Sequence, residues 1–187
     1  MNLTLLGSGY GGWVIPDWFN SSSVCYFAGV GEDITFDVEF VKRYDCEVHL
    51  FDPTPRAIKH YESVVSSANG GNLISPIPPS SKFSHYELTA QHAKKMHMHP
   101  IGLGEEGEIT FYPPANLDHV SYSIVNLQET TEENAFTAKC ESLRSIMQQL
   151  GHDKIDCLKL DIEGAELKVI EEIIAHDVAV EVLCVEF

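Results

Sequence analysis

The chain has 187 residues, of which 44% are hydrophobic; this length and composition exclude a disordered chain and predict one soluble globular domain. Its 12 basic and 28 acidic residues give a formal net charge of -16, so nucleic acid and acidic membranes are poor candidate partners. The five cysteines form no Cys-x-x-Cys pair, and their odd number indicates buried, reduced thiols. With no signal peptide or membrane span at the amino terminus, we expect a cytoplasmic protein.

Residues 1–20 are predicted to form an amino-terminal extension or hairpin. The segment Gly7-Ser-Gly-Tyr-Gly-Gly12 fits the dinucleotide pattern G-x-G-x-x-G, whose chemistry requires a helix to begin at the glycines. Instead Trp13-Val-Ile-Pro16 follows, and its β-branched residues and proline favour an extended segment or hairpin. We therefore interpret these glycines as a turn.

Beyond this extension, strand patterns alternate with helical patterns, which is typical of a parallel sheet covered on both faces. The sequence predicts a single α/β domain over residues 1–187. The predicted elements are a strand at 24–28, a helix at 32–43, a strand at 47–52, a helix after Pro55, a loop or lid insertion at 69–95, strands at 96–102 and 107–112, a helix ending at Gly151, a strand at 155–161, a helix at 166–175 and a strand at 180–187.

A glycine turn, Gly29-Val-Gly31, joins the strand at 24–28 to the next helix, and Asp52 ends the following strand. Glycines let the backbone approach a ligand, and a carboxylate at a strand end can accept both hydroxyls of a ribose. A dinucleotide favours a third glycine, but that position is Ile34. Glu32 and Asp33 at the helix start would repel phosphate and tolerate a sulfonium cation. The pattern favours S-adenosylmethionine, and a tight turn that binds nothing remains the structural alternative.

Four blocks, in order, resemble the FkbM-type methyltransferase domain: Gly29-Val-Gly-Glu-Asp-Ile-Thr-Phe-Asp37, Phe51-Asp-Pro-Thr-Pro55, His99-Pro-Ile-Gly-Leu-Gly104 and Leu158-Lys-Leu-Asp-Ile-Glu-Gly-Ala-Glu166. The resemblance implies a Rossmann-like class I fold that uses S-adenosylmethionine, most often to methylate a hydroxyl of a sugar, polyketide or other small metabolite. It implies the methionine portion near Gly29 and Gly31, the ribose near Asp52 and the adenine near 100–103. The cofactor-binding residues expected from it are Gly29, Val30, Gly31, Glu32, Asp33, Asp52, Pro53 and Gly102.

Strand-end carboxylates suit a base that removes the proton of the acceptor hydroxyl. Asp161 is the first candidate, Glu163 the second and Glu186, at the tip of the next strand, the third. For Asp161 the alternative is cofactor binding or structural hydrogen bonding, and for Glu163 it is a place at the helix entry. Glu166 is interpreted as a surface or first-turn charge.

Metal binding is not predicted. His97 and His99 share one face of a strand, and His85 and His92 lie upstream, but their spacing is not that of a tight ligand set. Ser121 and Ser123 are candidates for substrate contact, with a surface turn as the alternative reading.

The last strand is expected to leave an open sheet edge, because class I sheets usually continue with an antiparallel hairpin and the sequence printed here stops at Phe187. Either the sequence is a fragment, or the amino-terminal strands or a partner subunit, such as a second copy of the chain, cover that edge. Two functions are therefore open: an O-directed methyltransferase acting on a small hydroxyl acceptor, or a non-catalytic or truncated Rossmann-like domain that binds a nucleoside or a protein partner.

Overall fold

The computed structural model of the chain describes residues 2–112 and 135–187. None of the described helices is long and apolar enough to cross a membrane. The elements, in chain order, are β1 (Leu3–Leu6), β2 (Trp13–Pro16), β3 (Val24–Ala28), α1 (Thr35–Tyr44), β4 (Glu47–Phe51), α2 (Pro55–Ala68), α3 (Ala90–Ala93), β5 (Met96–His99), β6 (Gly102–Leu103), β7 (Gly107–Phe111), β8 (Phe136–Glu141), α4 (Leu143–Leu150), β9 (Ile155–Leu160), α5 (Glu166–His176) and β10 (Val180–Val185).

The centre of the fold is a five-stranded parallel sheet with the order β10-β9-β3-β4-β5. Because successive residues of a strand point to opposite faces, each face of the sheet builds its own core. Phe27 packs with Phe36 of α1 and Val64 of α2 on one face. On the other face, Tyr26 packs with Leu143 of α4 and with side chains of α5. The predicted α/β fold with a mainly parallel sheet is confirmed.

β1 and β2 form an antiparallel hairpin in which Leu6 lies opposite Trp13, so the glycine segment between them is a turn. The Ser8 N–H donates to the Thr35 hydroxyl at 2.8 Å and docks this turn on the start of α1. Gly12 folds back so closely that a Cβ atom there would lie 2.2 Å from the Ser8 carbonyl oxygen. The turn therefore offers no helix amino terminus to a pyrophosphate.

The single strand predicted at 96–102 is wrong. β5 ends at His99, and Pro100, which has no N–H to donate, separates it from β6. β6 belongs to a second sheet with the order β6-β8-β7, of which β8 was not predicted. A Cβ atom at Gly102 would lie 2.4 Å from the Cys140 sulfur, so glycine permits this close pairing of β6 with β8.

The loop at 69–95 contains the short helix α3 and is otherwise without helix or strand. It packs against the main body of the fold through Tyr86, which is buried and accepts a hydrogen bond from the Ile34 N–H at 3.1 Å. The Ile77 N–H also donates to the Glu32 carbonyl at 2.9 Å. The loop thus braces the segment that leads into α1.

Candidate active site

A cavity of about 370 Å³ lies at the carboxyl ends of β3, β4 and β9. β3 lies between β4 and β9, so the strand order changes direction at this point, which is where open α/β sheets bind their ligands. All ten residues proposed from the sequence as cofactor-binding or catalytic line this one cavity: Gly29, Val30, Gly31, Glu32, Asp33, Asp52, Pro53, Gly102, Asp161 and Glu163. No residue of the loop at 69–95 is among the lining residues.

The glycine turn between β3 and α1 depends on residues without side chains. Gly29 and Gly31 have φ angles of 79° and 58°, in the left-handed region that favours glycine. A Cβ atom at Gly29 would lie 1.6 Å from the Asp161 carbonyl oxygen, so β3 and the end of β9 approach here at backbone distance. The turn and the candidate base are therefore held next to each other by the backbone itself.

Glu32 and Asp33 lie ahead of the helix, and their predicted place in its first turn is wrong. α1 begins at Thr35, whose N–H and hydroxyl both donate to Asp33 Oδ1, at 3.0 and 2.6 Å. Asp33 Oδ2 accepts the Ser8 hydroxyl at 2.5 Å. Both oxygens of Asp33 are therefore used to fix the helix start and to hold the hairpin turn against it.

Asp52 is buried beneath the glycine turn, and four hydrogen bonds hold its carboxylate. Oδ2 accepts the N–H groups of Val30 and Gly31 at 2.9 and 3.0 Å, and Oδ1 accepts the N–H and hydroxyl of Thr54 at 2.8 and 2.6 Å. A carboxylate offers about four lone-pair positions. A ribose hydroxyl could bind Asp52 only by replacing one of these hydrogen bonds. In this structure Asp52 fixes the conformation of the glycine turn.

Three carboxylates gather at the ends of β9 and β10. The pKa of Glu186 is raised, first by the negative charge of Asp161, then by burial and by Glu163. Glu163 has a φ of 54°, which is uncommon for a residue with a side chain, and its side chain is exposed. The arrangement gives this end of the cavity several groups that can accept a proton.

Glu166 is not the surface charge expected from the sequence, although it does lie in the first turn of α5. It is 5% exposed, and its two oxygens accept the N–H groups of Ile162 and Gly164, both at 2.9 Å. Glu166 thereby fixes the turn that carries Asp161 and Glu163. A glutamate placed a few residues after a strand end, at a helix start, was the sequence signal for this role.

Tyr10 lines the cavity from the hairpin turn, a position that sequence reasoning did not single out. Its side chain is 64% exposed. The pKa of Tyr10 is raised by partial burial and then by the charges of Asp161, Glu163 and Glu186. The phenol therefore lies within the electrostatic field of the strand-end carboxylates and forms part of the cavity wall opposite the sheet.

Lys159 is a second residue that sequence reasoning missed. It sits on β9, is 5% exposed and also lines the cavity. Its Nζ donates to the Gly29 carbonyl oxygen at 2.5 Å and lies 3.8 Å from Asp161 Oδ2. A lysine between two leucines of a strand, two residues before the candidate base, was the available signal.

Several histidines gather on one face of the central sheet. His49 Nδ1 lies 3.0 Å from His99 Nε2, and the His49 ring stacks on those of His97 and His99. Burial and the neighbouring histidines lower the pKa of His49 to about 3. No group of three or more metal-ligating residues is found within residues 2–112 and 135–187. Ser121 and Ser123 lie outside the described residues.

Comparison with known proteins gives the family. The profile of the Methyltransferase FkbM domain matches residues 27–186, which span β3 to the end of β10. The probable methyltransferase-like protein 24 of Rattus norvegicus and that of Homo sapiens are each 56% identical to this chain over 36 residues, which is 19% of this chain and 10% of the relative. No solved structure matches the chain significantly. Because the profile covers most of the chain and includes the glycine turn and the strand-end carboxylates, the chain belongs to the FkbM methyltransferase family.

Proposed function

We propose that this chain is an S-adenosylmethionine-dependent methyltransferase that methylates a hydroxyl group of a small metabolite, such as a sugar or a polyketide. The observation that carries the proposal is the convergence of the glycine turn and the strand-end carboxylates on one cavity. Its volume of about 370 Å³ lies in the range of small-molecule sites. Family membership supplies the reaction type, and the cavity wall supports the choice of cofactor.

The cavity wall fits a cofactor that carries a sulfonium and an ammonium group. Asp161, Glu163 and Glu186 line the cavity, and anionic side chains attract such cations while they repel phosphate. In this proposal the Gly29–Gly31 turn contacts the methionine portion, and Pro53 and Gly102 contact the nucleoside. When bound, S-adenosylmethionine supplies a methyl group activated by its positively charged sulfur.

Asp161 is the proposed general base. Transfer of a methyl group to oxygen is an in-line displacement, so the protein must orient the hydroxyl and accept its proton. The Asp161 side chain is 34% exposed at the end of β9, with Lys159 beside it. Glu163 is the second candidate and Glu186 the third. Tyr10 forms the acceptor side of the wall, where an exposed aromatic ring can contact a bound metabolite.

Oligomeric state and location belong to the same proposal. Among the described strands, β10 pairs with β9 on one side only, and Leu183 on it is 42% exposed. We propose that a second copy of the chain pairs with this edge.

All five cysteines are free and buried thiols, which supports a cytoplasmic location.

Calorimetric titration with S-adenosylhomocysteine, with NAD as control ligand, tests the cofactor. Micromolar binding of S-adenosylhomocysteine and no binding of NAD is the expected result. Binding of NAD alone would overturn the proposal. Binding of neither ligand would favour the alternative function, a Rossmann-like domain that engages a protein partner without turnover.

The proposed base is tested by screening hydroxylated acceptors for release of S-adenosylhomocysteine from S-adenosylmethionine. We expect Asp161→Asn to lower turnover by about 10² to 10⁴-fold, while the affinity for S-adenosylhomocysteine stays close to that of the wild type. Asp153→Asn removes an exposed carboxylate that does not line the cavity and serves as the matched control. Full turnover by the Asp161→Asn variant would show that another group takes the proton.

A further inference from the structure

The described part of the cavity wall contains one buried cation. Its described residues include two lysines, Lys159 and Lys168, and no arginine. The Lys168 side chain is 67% exposed and lies 3.6 Å from Glu171, whereas Lys159 is 5% exposed. A buried ammonium group requires anionic or polar partners, because burial of an unpaired charge is costly.

The partners of Lys159 leave part of its hydrogen-bonding capacity unused. An ammonium group has three N–H donors. One donates to the Gly29 carbonyl oxygen at 2.5 Å, and Asp161 Oδ2, at 3.8 Å, lies beyond hydrogen-bond distance. Two donors of Lys159 therefore have no hydrogen-bond acceptor among the described residues. The Trp13 ring, 5.8 Å from Nζ, covers the ammonium from the hairpin side.

Backbone amides of the glycine turn, which could otherwise bind an anion, already have partners. The N–H groups of Val30 and Gly31 donate to Asp52. The Ile34 N–H donates to the Tyr86 hydroxyl, and the Thr35 N–H donates to Asp33. These four amides are therefore occupied, which favours a side chain as the donor to an anionic group that enters the cavity near the turn.

The negative charge of the cavity wall strengthens the need for a cationic side chain that can bind an anionic group. Seven carboxylates of the described residues line the cavity, and an incoming carboxylate is repelled wherever no cation screens them. The amino-acid moiety of S-adenosylmethionine carries both an ammonium and a carboxylate. Carboxylates of the wall can accept hydrogen bonds from its ammonium, whereas the described part of the wall offers its carboxylate one buried cation. The seven are Glu32, Asp33, Asp52, Glu105, Asp161, Glu163 and Glu186.

We propose that Lys159 binds the carboxylate of the amino-acid moiety of the cofactor. This inference rests on the proposed cofactor and assigns a residue to one end of it. Lys159 lies beside the Gly29 carbonyl, so the same ammonium holds the glycine turn and the cofactor carboxylate. Lys159 thereby sets the orientation of the amino-acid moiety, whose ammonium and carboxylate lie next to Asp161 and Lys159.

The test is a cycle of binding measurements that combines one change in the protein with one change in the ligand. Wild type and Lys159→Met are titrated calorimetrically with S-adenosylhomocysteine and with its decarboxylated analogue, in which hydrogen replaces the carboxylate. We expect Lys159→Met to weaken binding of S-adenosylhomocysteine about tenfold or more and binding of the analogue less than about twofold. Lys59→Met removes the same charge from an exposed residue that does not line the cavity and should change both affinities by less than about threefold.

Equal loss of affinity for both ligands would show that Lys159 only maintains the shape of the cavity, and no loss for either would remove Lys159 from the binding site. Both results overturn the inference. If wild type fails to bind S-adenosylhomocysteine, the proposed cofactor itself is wrong. Asp37 is a buried carboxylate, and the charge of Lys159 lowers its pKa. Because Lys159→Met would leave this carboxylate without the nearby cation, the cycle is repeated in an Asp37→Asn background.

Discussion

Asp37 is a carboxylate that the fold buries without a full set of partners. It lies in the first turn of α1, is 2% exposed, and its Oδ1 atom has no hydrogen-bond partner among residues 2–112 and 135–187. Burial raises the pKa of Asp37 to about 6, and the nearby Lys159 ammonium limits the rise. The folded protein therefore keeps a proton on Asp37 at pH values where the unfolded chain has already lost it.

This difference makes stability depend on pH in a direction opposite to that of a salt-bridged aspartate. Between the ordinary pKa of 3.8 and about 6, the folded state binds more protons than the unfolded state, so the free energy of unfolding falls as pH rises. We predict that the unfolding free energy of Asp37→Asn, minus that of wild type, increases by about 3 kcal/mol from below pH 4 to above pH 6. Urea unfolding across this range measures the change.

Asp153→Asn removes an exposed carboxylate and is the matched control. Its difference from wild type should stay flat over the same pH range. A flat difference for Asp37→Asn as well would mean that Asp37 has an ordinary pKa in the folded protein.

The amino-terminal hairpin is an element whose turn is held in shape by the side chain of Ser8. Ser8 holds the turn by accepting the N–H groups of Tyr10 and Gly11, both at 2.9 Å, and by donating its hydroxyl to Asp33. The conformation of this hairpin turn places Tyr10 on the cavity wall. The hairpin is therefore part of the site, although the family profile begins only after it, at residue 27.

Two glycines of this turn provide a matched pair for testing its packing. A Cβ atom at Gly12 would lie 2.2 Å from the Ser8 carbonyl oxygen and 2.9 Å from that of Leu6, whereas a Cβ atom at Gly9 meets nothing within 4 Å. We predict that Gly12→Ala lowers the free energy of unfolding by about 2 kcal/mol. Gly9→Ala should stay within about 1 kcal/mol of wild type. Equal stability of the two variants in urea would contradict the crowding at Gly12.

Over the whole molecule, 28 acidic residues against 12 basic ones create a general self-repulsion in the folded state. Salt screens such repulsion, so we predict that the thermal midpoint at pH 7 rises by a few degrees between about 0.05 M and about 0.5 M sodium chloride. Calorimetry or circular dichroism measures the midpoint. Near the sequence isoelectric point of 4.8 the same salt step should have little effect. A midpoint that falls with salt at pH 7 would mean that attractive ion pairs outweigh the repulsion.

The parts of this molecule that follow local rules could be predicted from the sequence. Alternating apolar strands and helices predict a parallel sheet, and parallel strands bring their carboxyl ends to one edge, so Gly29, Asp52 and Asp161 could be placed together. β8 and the pairing of β6 depend on partners distant in sequence, which periodicity does not reveal. The roles of Lys159 and Glu166 likewise depend on three-dimensional contacts, because a charge looks like a surface residue until its burial is known.

Because the cysteines are buried, the rate at which each thiol is alkylated measures how often the surrounding structure opens. Cys25 and Cys157 lie opposite each other at the centre of the sheet, and Cys184 lies on the edge strand β10. Alkylating reagents attack the exposed thiolate, so modification of each thiol waits for an opening that uncovers it. The rate at Cys184 follows fraying of one edge, and the rates at Cys25 and Cys157 follow opening of the whole sheet. A ligand bound in the cavity at the carboxyl ends of β3, β4 and β9 would hold these strands together and slow modification of the central pair.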